Sequence, residues 1–594
     1  MGNTAEKALK GGIFLVEDLE PSQLFVTEDL TEEQKMIAKT TEDYVKKEVR
    51  PHLETLENQD LELTKKLLKK AGDLGLLGAD VPEEYGGIGL DKISSSLITE
   101  KFAGARSFSL SYGAHVGIGS LPIVLFGTEE QKHKYLPGLA TGEKFAAYAL
   151  TEPGSGSDAL GARTTARLNE EGTHYILNGE KQWITNSGFA DVFVVYAKID
   201  GEHFSAFIVE KEFPGVSTGA EEKKMGIKAS STRTLILDNV AVPKENLLGE
   251  AGKGHVIAFN ILNIGRYKLA VGCVGGAKLG VEVAVKYAKE RHQFKQPIAN
   301  FTLIQNKLAN MAIKAFASES SVYRTVGLFA DRLDALTEEE AKDGSKIAAA
   351  ISEYAMECSL NKVFASETLD FVADEAVQIH GGYGYMHEYE VETMYRDSRI
   401  NRIFEGTNEI NRLLVPSTIL RKTMKGELPL LQKAQTLQEE LMMLMPEEPG
   451  TEVLDKEKYL LKNAKKIFLL VAGLGVQKFG KALEKEQELL ANTADIVNHI
   501  YTMESVIVRT EKAIQKKGEA ANQQKVLMTQ VFAQEAFQDL DRLAKESLLM
   551  IEEGDTLRML ISALRKLTRF SPENAVAKKR QIAQALIEAE TFVV

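Results

Sequence analysis

The sequence is poor in cysteine and tryptophan: among 594 residues it has two cysteines, Cys273 and Cys358, and one tryptophan, Trp183. Two cysteines so far apart exclude a disulfide scaffold, and we interpret both as buried thiols of a protein from a reducing compartment. A net charge of −13 disfavours a nucleic-acid-binding protein, which usually presents a basic face. Metal and nucleotide signatures are absent as well, because no P-loop, no G-x-G-x-x-G, no H-E-x-x-H and no C-x-x-C motif occurs. We therefore expect no metal site.

Long apolar runs are also scarce. Near the N-terminus the apolar residues run only from Ile13 to Val16, so we expect no secretory signal, and Glu6 does not fit the myristoylation pattern. The stretch from Ile467 to Val476 is too short to span a bilayer. The sequence therefore predicts a soluble, cytoplasmic protein without a transmembrane segment.

The character of the chain changes along its length. We predict an α+β, mostly α fold, because helical patterns surround one region of alternating β-branched and aromatic residues. The predicted units are an N-terminal segment, an N-terminal helical domain, a middle β-domain, a helical bundle domain and an appended helical domain, at residues 1–30, 31–145, 146–250, 251–425 and 426–594.

Caps and turns locate some of the elements. Thr31–Gln34 and Thr337–Glu340 read as capping boxes, and Ser571-Pro572 is typical of a helix start. Asn178-Gly179 and Asp200-Gly201 predict hairpin turns between strands. Short strands are also predicted at 234–237 and 240–242, long helical segments at 257–291, 302–333, 337–370 and 371–380, and a break in the appended helices at 445–450.

Four segments have the composition of a ligand site. Tyr148–Asp158 is rich in glycine and hydroxyl residues, so it is either a loop that binds a ligand or a polar turn after a strand. Trp183–Asn186 places the single tryptophan beside the Thr185 hydroxyl, although a core tryptophan is the alternative. Gln378–Tyr385 is a glycine-rich helix end, which a simple C-cap would also explain. Tyr395–Ile410 contains Glu405 between an apolar pair and Gly406-Thr407.

Together, in this order and spacing, these segments resemble the acyl-CoA dehydrogenase family over roughly residues 30–425. The region after residue 430 makes the chain look most like the very-long-chain type with a C-terminal helical extension. The resemblance implies an acyl-CoA dehydrogenase-like fold with a C-terminal four-helix domain, FAD as the cofactor, and a homodimer in which each subunit completes the cofactor site of the other.

The resemblance also implies roles for individual residues. Trp183 would shield one face of the flavin, Thr185 would reach flavin N5, and Arg291 would hold the pyrophosphate. The implied cofactor-binding residues are Tyr148, Leu150, Thr151, Ser157, Trp183, Ile184, Thr185, Arg291, Gln293, Phe294, Gln305, Gln378, Ile379, Gly381, Gly382, Thr407 and Asn408. The implied substrate contacts are Ser157, Asn263, Arg266 and Gly406.

Glu405 matches the catalytic base of the family. It would remove the α-proton of a long-chain acyl-CoA while flavin N5 accepts the β-hydride, giving a trans-2-enoyl-CoA in fatty acid β-oxidation, with electrons passed to electron-transferring flavoprotein. Some members carry the base before an arginine on another helix, but here Gly265 precedes Arg266. By the resemblance, Gly113–Gly119 corresponds to the floor of the acyl pocket. Its small side chains would leave depth for a long chain, so we expect the highest kcat/KM for roughly C12 to C18 chains.

Three alternatives stay open. The chain could be an acyl-CoA oxidase, which would use the same base but pass electrons to O₂. It could also be an assembly scaffold, because one relative of the very-long-chain branch has that role. The segment Lys465–Lys478 is either an amphipathic helix on a membrane surface or, as we favour, a helix packed on its own domain.

Overall fold

The computed structural model describes residues 8–443 and 448–594, so the predicted break at 445–450 lies partly outside the described residues. The fold is mostly α with one β-rich unit, which confirms the predicted class. The N-terminal segment forms short 3₁₀ turns at Ile13–Leu15, Pro21–Gln23 and Thr27–Asp29.

Seven helices build the first helical unit within the described residues: α1 Glu32–Tyr44, α2 Leu53–Glu57, α3 Leu61–Asp73, α4 Lys92–Phe102, α5 Phe108–Gly113, α6 Leu121–Phe126 and α7 Glu129–Thr141. The predicted capping box at α1 is confirmed, since the Thr31 side chain accepts from the Gln34 amide at 3.2 Å and the Gln34 side chain accepts from the Thr31 amide at 3.1 Å. A π-helical turn, Ala114–Gly119, joins α5 to α6. The continuous stretch Phe108–Phe126 has the length and apolar composition of a membrane span, but 72% of it is buried inside the protein, as in a core helix.

The middle unit is an eight-stranded sheet in the order β6-β7-β3-β2-β4-β5-β8, with β1 paired to β4. Its strands are β1 Ala146–Ala149, β2 Thr165–Leu168, β3 His174–Thr185, β4 Val192–Ile199, β5 His203–Glu210, β6 Val216–Thr218, β7 Thr232–Pro243 and β8 Leu247–Leu248. The hairpin predicted at Asp200-Gly201 is confirmed, because β4 and β5 pair antiparallel up to Ile199 and His203.

The hairpin predicted at Asn178-Gly179 is wrong. β3 runs straight through it and pairs with β7 along its length, with register shifts at Leu177/Gly179 and Lys181/Ile184. A β-carbon at Gly179 would collide with the Thr164 hydroxyl, so the glycine serves a bulge at which β2 approaches closely. The two short strands predicted at 234–237 and 240–242 are likewise one strand, β7, which passes through Asn239 at φ 52°.

The helical bundle consists of α8 Gly254–Glu290, α9 Thr302–Asp334, α10 Gly344–Ser352, α11 Ala355–His380, α12 Glu390–Ser398 and α13 Asn408–Met424, with a two-stranded ribbon, β9 His292–Gln293 and β10 Gln296–Pro297. The predicted break at 370/371 is wrong, because α11 is continuous there and the chain breaks instead at Glu353-Tyr354. The Thr337–Glu340 box forms its reciprocal hydrogen bonds, yet it opens only a 3₁₀ turn, and Asp343 caps α10.

The appended unit comprises α14 Leu430–Met443, α15 Asp455–Phe479, α16 Gln487–Lys517, α17 Gln523–Ile551, α18 Gly554–Leu567 and α19 Ala575–Ala589. The last helix does not start at Ser571-Pro572, because Asn574 is its N-cap and accepts from the Ala577 amide at 3.1 Å. In α15 the apolar residues Ile467, Phe468 and Val471 are buried. The helix therefore packs on its own domain, as we favoured.

Buried ion pairs join the N-terminal segment, the bundle and the appended unit. The Arg509 guanidinium on α16 lies 2.9 Å from Glu28 and 2.8 Å from Glu319 on α9. Lys278 on α8 continues the chain, at 2.6 Å from Glu319 and 2.9 Å from Glu100 on α4. Because breaking one member of a buried network leaves an uncompensated charge, these contacts fix the units against one another.

Candidate active site

A cavity of about 240 Å³ lies where the first helical unit meets α8 and the segment that precedes α13. Glycines from two sides form much of its wall: Gly113 and Gly117 near the π-turn, and Gly265, Gly272 and Gly276 on α8. A β-carbon at Gly113 or Gly272 would meet nothing within 4 Å, so both face open space. The small residues near Gly113, where the sequence predicts a pocket, therefore line a cavity.

Glu405 lines this cavity from the turn between the 3₁₀ segment Arg399–Arg402 and α13. Its Oε2 atom is buried and has no hydrogen-bond partner within the described residues. A β-carbon on Gly265 would overlap the carboxyl group, with only 2.6 Å to Cδ. Gly265 stands where some acyl-CoA dehydrogenases are expected to carry an alternative base. Because it has no side chain, it also leaves room for the carboxyl group of Glu405.

The electrostatics of Glu405 suit a base. Burial raises its pKa to about 7, and the positive charges of Arg266 and Lys362 oppose that effect. Because a general base is most efficient with a pKa near the working pH, this carboxyl group is well matched to proton abstraction at neutral pH. Burial raises the pKa of the nearby Tyr148 hydroxyl well above its usual value, and the negative charge of Glu405 raises it further.

Arg266 and Asn263 are occupied within the protein. The Arg266 guanidinium donates to the Glu405 carbonyl at 3.2 Å and to Asn263 Oδ1 at 2.8 Å. Both residues are buried. In this arrangement Arg266 holds the backbone of Glu405, and the expected contact of either residue with a substrate stays a prediction.

Thr407 and Asn408 cap and anchor α13. Thr407 Oγ1 accepts from the Ile410 amide at 3.2 Å, which makes it the N-cap. Asn408 is buried, accepts from Lys362 at 2.6 Å and donates to Glu367 at 3.0 Å. These side chains hold the segment that carries Glu405, and their expected role at the cofactor stays a prediction.

Trp183 is a surface residue of the β-unit. Its side chain is 60% exposed, so the alternative of a core tryptophan is wrong. It occupies the β3 bulge at φ 58° and precedes Ile184, which is buried, and Thr185, which lines the cavity of Glu405. An exposed indole beside a cavity is typical of a surface that a planar ligand covers.

The glycine-rich loop after β1 is open on its outer side. β-carbons on Gly154 and Gly156 would meet nothing within 4 Å, and Ser157 is exposed. Thr151 accepts from the Gln182 amide at 2.9 Å, which joins the loop to β3 next to Trp183. Leu150, in contrast, is buried.

A buried ion pair that sequence motifs do not predict holds this loop from beneath. The buried Lys181 ammonium lies 2.7 Å from Glu152 Oε1, and Thr164 also donates to that carboxylate. The alternation of β3 predicts that position 181 faces inward, but sequence alone does not reveal its partner. The pair fixes the loop against β2 and β3.

A second pocket, of about 580 Å³, gathers other predicted cofactor residues: Arg291, Gln293, Ile379, Gly381 and Gly382, together with Tyr287, His380 and Tyr383. Its wall includes the Arg291 guanidinium over the Tyr383 ring at 5.2 Å. Phe294 beside it is 86% exposed, Gln378 is exposed, and Gln305 donates to the Ala299 carbonyl at 3.1 Å. This pocket shares no lining residue with the cavity at Glu405. Within one chain, Thr185, which is predicted to contact the flavin, and Arg291, which is predicted to hold the pyrophosphate, therefore line two separate pockets.

Family models for the domains of acyl-CoA dehydrogenases match four stretches of the chain. The N-terminal domain model matches residues 31–143 and the middle domain model residues 147–240. Two models described as the C-terminal domain match residues 252–420 and 463–566.

Similar proteins extend this match to the whole chain. A probable acyl-CoA dehydrogenase of Bacillus subtilis (strain 168) is 69% identical over 594 residues, covering 100% of both chains. The very long-chain specific acyl-CoA dehydrogenase of Macaca fascicularis mitochondria is 43% identical over 370 residues, 60% of this chain and 54% of that protein. A crystal structure of an acyl-CoA dehydrogenase complexed with FAD from Bacillus anthracis superimposes with a TM-score of 0.98 at 69% identity, covering 99% of this chain and 100% of that chain. The chain is a member of the acyl-CoA dehydrogenase family.

Proposed function

We propose that this chain is an FAD-dependent enzyme that introduces a trans-2 double bond into long-chain acyl-CoA thioesters, with Glu405 as the base. The observation that carries the proposal is the buried Oε2 of Glu405, which has no hydrogen-bond partner among the described residues, in the wall of an apolar cavity. As a member of this family the chain is an oxidoreductase, so the proposal concerns its substrate, its residues and its physiological role.

The residues of the site fit FAD. Trp183 offers an exposed aromatic face beside the cavity, next to the Thr185 hydroxyl. Gly381 and Gly382 leave open space beside the Arg291 guanidinium, which can hold a diphosphate with paired hydrogen bonds. The relative from Bacillus anthracis, 69% identical, is complexed with FAD, which supports the same cofactor here.

The chain's own residues account for proton removal. Glu405 is held with its carboxyl group toward the cavity, where an apolar wall excludes water and strengthens it as a base. Arg266 orients the Glu405 backbone from the carbonyl side, and the amide of Glu405 is expected to donate to the substrate thioester oxygen. When bound, FAD supplies the acceptor for the hydride that leaves the β-carbon.

The lining of the cavity supports a long acyl chain. Gly113 and Gly272 both face open space, and Leu110, Leu279 and Met394 extend the apolar wall. Each buried methylene contributes about 0.8 kcal/mol, so kcat/KM should rise with chain length up to roughly C12 to C18. A chain-length series that peaks between C4 and C8 would contradict this substrate class.

Oligomeric state and physiological role are further parts of the proposal. Around the second pocket Phe294, Leu303 and Tyr385 are 86%, 78% and 81% exposed, an apolar surface that a second subunit would cover. We propose a homodimer that completes the FAD site, a cytoplasmic location, electron-transferring flavoprotein as the acceptor and a role in fatty acid β-oxidation.

The absorbance of the purified protein tests the proposal. We expect a flavin spectrum that palmitoyl-CoA bleaches under anaerobic conditions, with a 2-enoyl-CoA as the product. A colourless protein that gains no flavin spectrum on incubation with FAD would contradict the cofactor, and an oxidised spectrum that no acyl-CoA bleaches would contradict the reaction. Rapid peroxide formation in air would instead favour the oxidase alternative.

A further inference from the structure

The catalytic segment adopts a conformation that needs external support. Glu405 has φ 57° and Gly406 has φ 78°, so two successive residues lie in the left-handed region. For a residue with a side chain this conformation costs about 1–2 kcal/mol, and it persists only where neighbouring groups hold it. The orientation of the carboxyl group therefore depends on whatever fixes the carbonyls of this turn.

Three side chains hold these carbonyls. Arg266 donates to the Glu405 carbonyl at 3.2 Å. Asn411 donates to the Gly406 carbonyl at 2.9 Å and to the Thr407 carbonyl at 3.0 Å. Lys362 on α11 donates to the Gly406 carbonyl at 2.7 Å, and this is the shortest of these contacts.

Lys362 is placed where a lysine is otherwise unfavourable. It is 0% exposed, and in the described part of the chain its ammonium bonds to two neutral oxygens, Gly406 O and Asn408 Oδ1, rather than to a carboxylate. It also lies at the N-terminal end of α13, where the helix dipole disfavours a positive charge. Burial accordingly lowers the pKa of Lys362 to about 8. Burying this cation is costly, and its hydrogen bonds to Gly406 O and Asn408 Oδ1 offset part of that cost.

We propose that Lys362 is a positioning residue for the reaction, because its ammonium fastens the Gly406 carbonyl and the Asn408 side chain to α11 and so keeps the carboxyl group of Glu405 facing the cavity. This inference deepens the proposed function and rests on it. The groups that face the ammonium are Cys273 and Arg266 on α8, Glu367 on α11, and Glu405 itself.

Two measurable effects follow from losing the ammonium. The turn loses its shortest support, and because a displacement of 1 Å at a reacting group costs up to about a hundredfold in rate, kcat should fall by about tenfold or more with little change in KM. Lys362 also contributes a positive charge that lowers the pKa of Glu405. Without it that pKa rises, so the acid limb of the pH–kcat/KM profile moves to higher pH.

The test compares Lys362→Met, which keeps the aliphatic stem, with Lys362→Arg, which keeps the charge but alters the geometry. We expect Lys362→Met to show both effects, and Lys362→Arg to keep the acid limb near that of the unchanged protein while kcat stays low. Lys465→Met is the matched control, because Lys465 is a buried lysine of the appended unit, paired with Glu504 at 2.7 Å. It should leave the pH profile unchanged.

A readout independent of turnover separates this inference from the proposed function. Amide hydrogen exchange across residues 405–411, measured without substrate, should accelerate in Lys362→Met and not in Lys465→Met. Suppose that in Lys362→Met both kcat and the exchange rate stay within twofold of the unchanged protein and the apparent pKa of the acid limb does not move. Lys362 then does not position the base. If it does not fold, the Lys362→Arg results decide, and a wild-type kcat in that variant overturns the inference. Exchange that accelerates in a protein without any dehydrogenation would contradict the proposed function but leave the positioning intact.

Discussion

Replacing Glu405 by glutamine should make the protein more stable at alkaline pH while it abolishes the reaction. Burial raises the pKa of the Glu405 carboxyl group to about 7 from its ordinary 4.5. Ionising it in the folded protein is therefore less favourable than in the unfolded chain by at most about 3–4 kcal/mol, an upper limit because Glu405 as a whole is only half-buried. Glutamine occupies nearly the same volume and carries no charge, so the variant does not bear this cost.

The sign of the pH dependence follows from the raised pKa. Between pH 4.5 and 7 the folded protein holds a proton that the unfolded chain has lost, so the destabilisation by Glu405 is complete above pH 7 and absent below pH 4.5. The stability advantage of Glu405→Gln should therefore be largest at pH 8 and disappear near pH 4.5. No advantage at pH 8, or one that grows as the pH falls, would refute the account of the Glu405 environment.

Differential scanning calorimetry of the two proteins at pH 5 and pH 8, at equal FAD saturation, measures this effect as a difference in Tm. Glu409→Gln is the control, because Glu409 is exposed and hydrogen bonding by its own backbone amide lowers its pKa. That variant should not gain stability at pH 8. A gain as large as that of Glu405→Gln would show that the loss of any carboxylate from this segment, rather than burial of one, is responsible.

Two further perturbations test the packing and the cavity. Arg509→Met removes the cation that Glu28 and Glu319 share, leaves Glu319 with Lys278 alone, and should cost up to about 3–5 kcal/mol. Arg542→Met, at a more exposed pair, should cost less than about 1 kcal/mol, and equal losses of Tm in the two variants would contradict the buried network. Gly272→Leu places a side chain in open space of the cavity. It should lower kcat/KM for long-chain acyl-CoA by about fourfold for each methylene that no longer fits, while hexanoyl-CoA turnover is retained. An unchanged chain-length profile would mean that the acyl chain lies elsewhere.

The candidate segment around Glu405 could be found from the sequence because its pattern is local. Glu405 and the small residues near Gly113 stand in short motifs, and the structure places them around one cavity. The exposed position of Trp183 could not be derived from composition, since an isolated tryptophan more often lies in a core. That position depends on a bulge in β3, which is a property of strand pairing.

The errors arose where tertiary contacts override local signals. Asn178-Gly179 favours a tight hairpin turn, but pairing with β7 keeps the strand continuous and Gly179 serves the approach of β2. Thr337–Glu340 forms a genuine box and still opens no α-helix. Sequence offers no signal for Lys362, because its partners are 44 and 46 residues away and become neighbours only in the folded bundle.

The most direct test of the central claim is the rate of anaerobic flavin reduction by palmitoyl-CoA in a single turnover, followed from pH 5 to pH 9. If Glu405 is the base, the rate should rise with pH through an apparent pKa of the free enzyme near 7, and Glu405→Gln should bind FAD normally but lose at least about a hundredfold in rate at every pH. A Glu405→Gln protein that still bleaches with palmitoyl-CoA at a rate close to that of the unchanged protein would show that another group removes the proton.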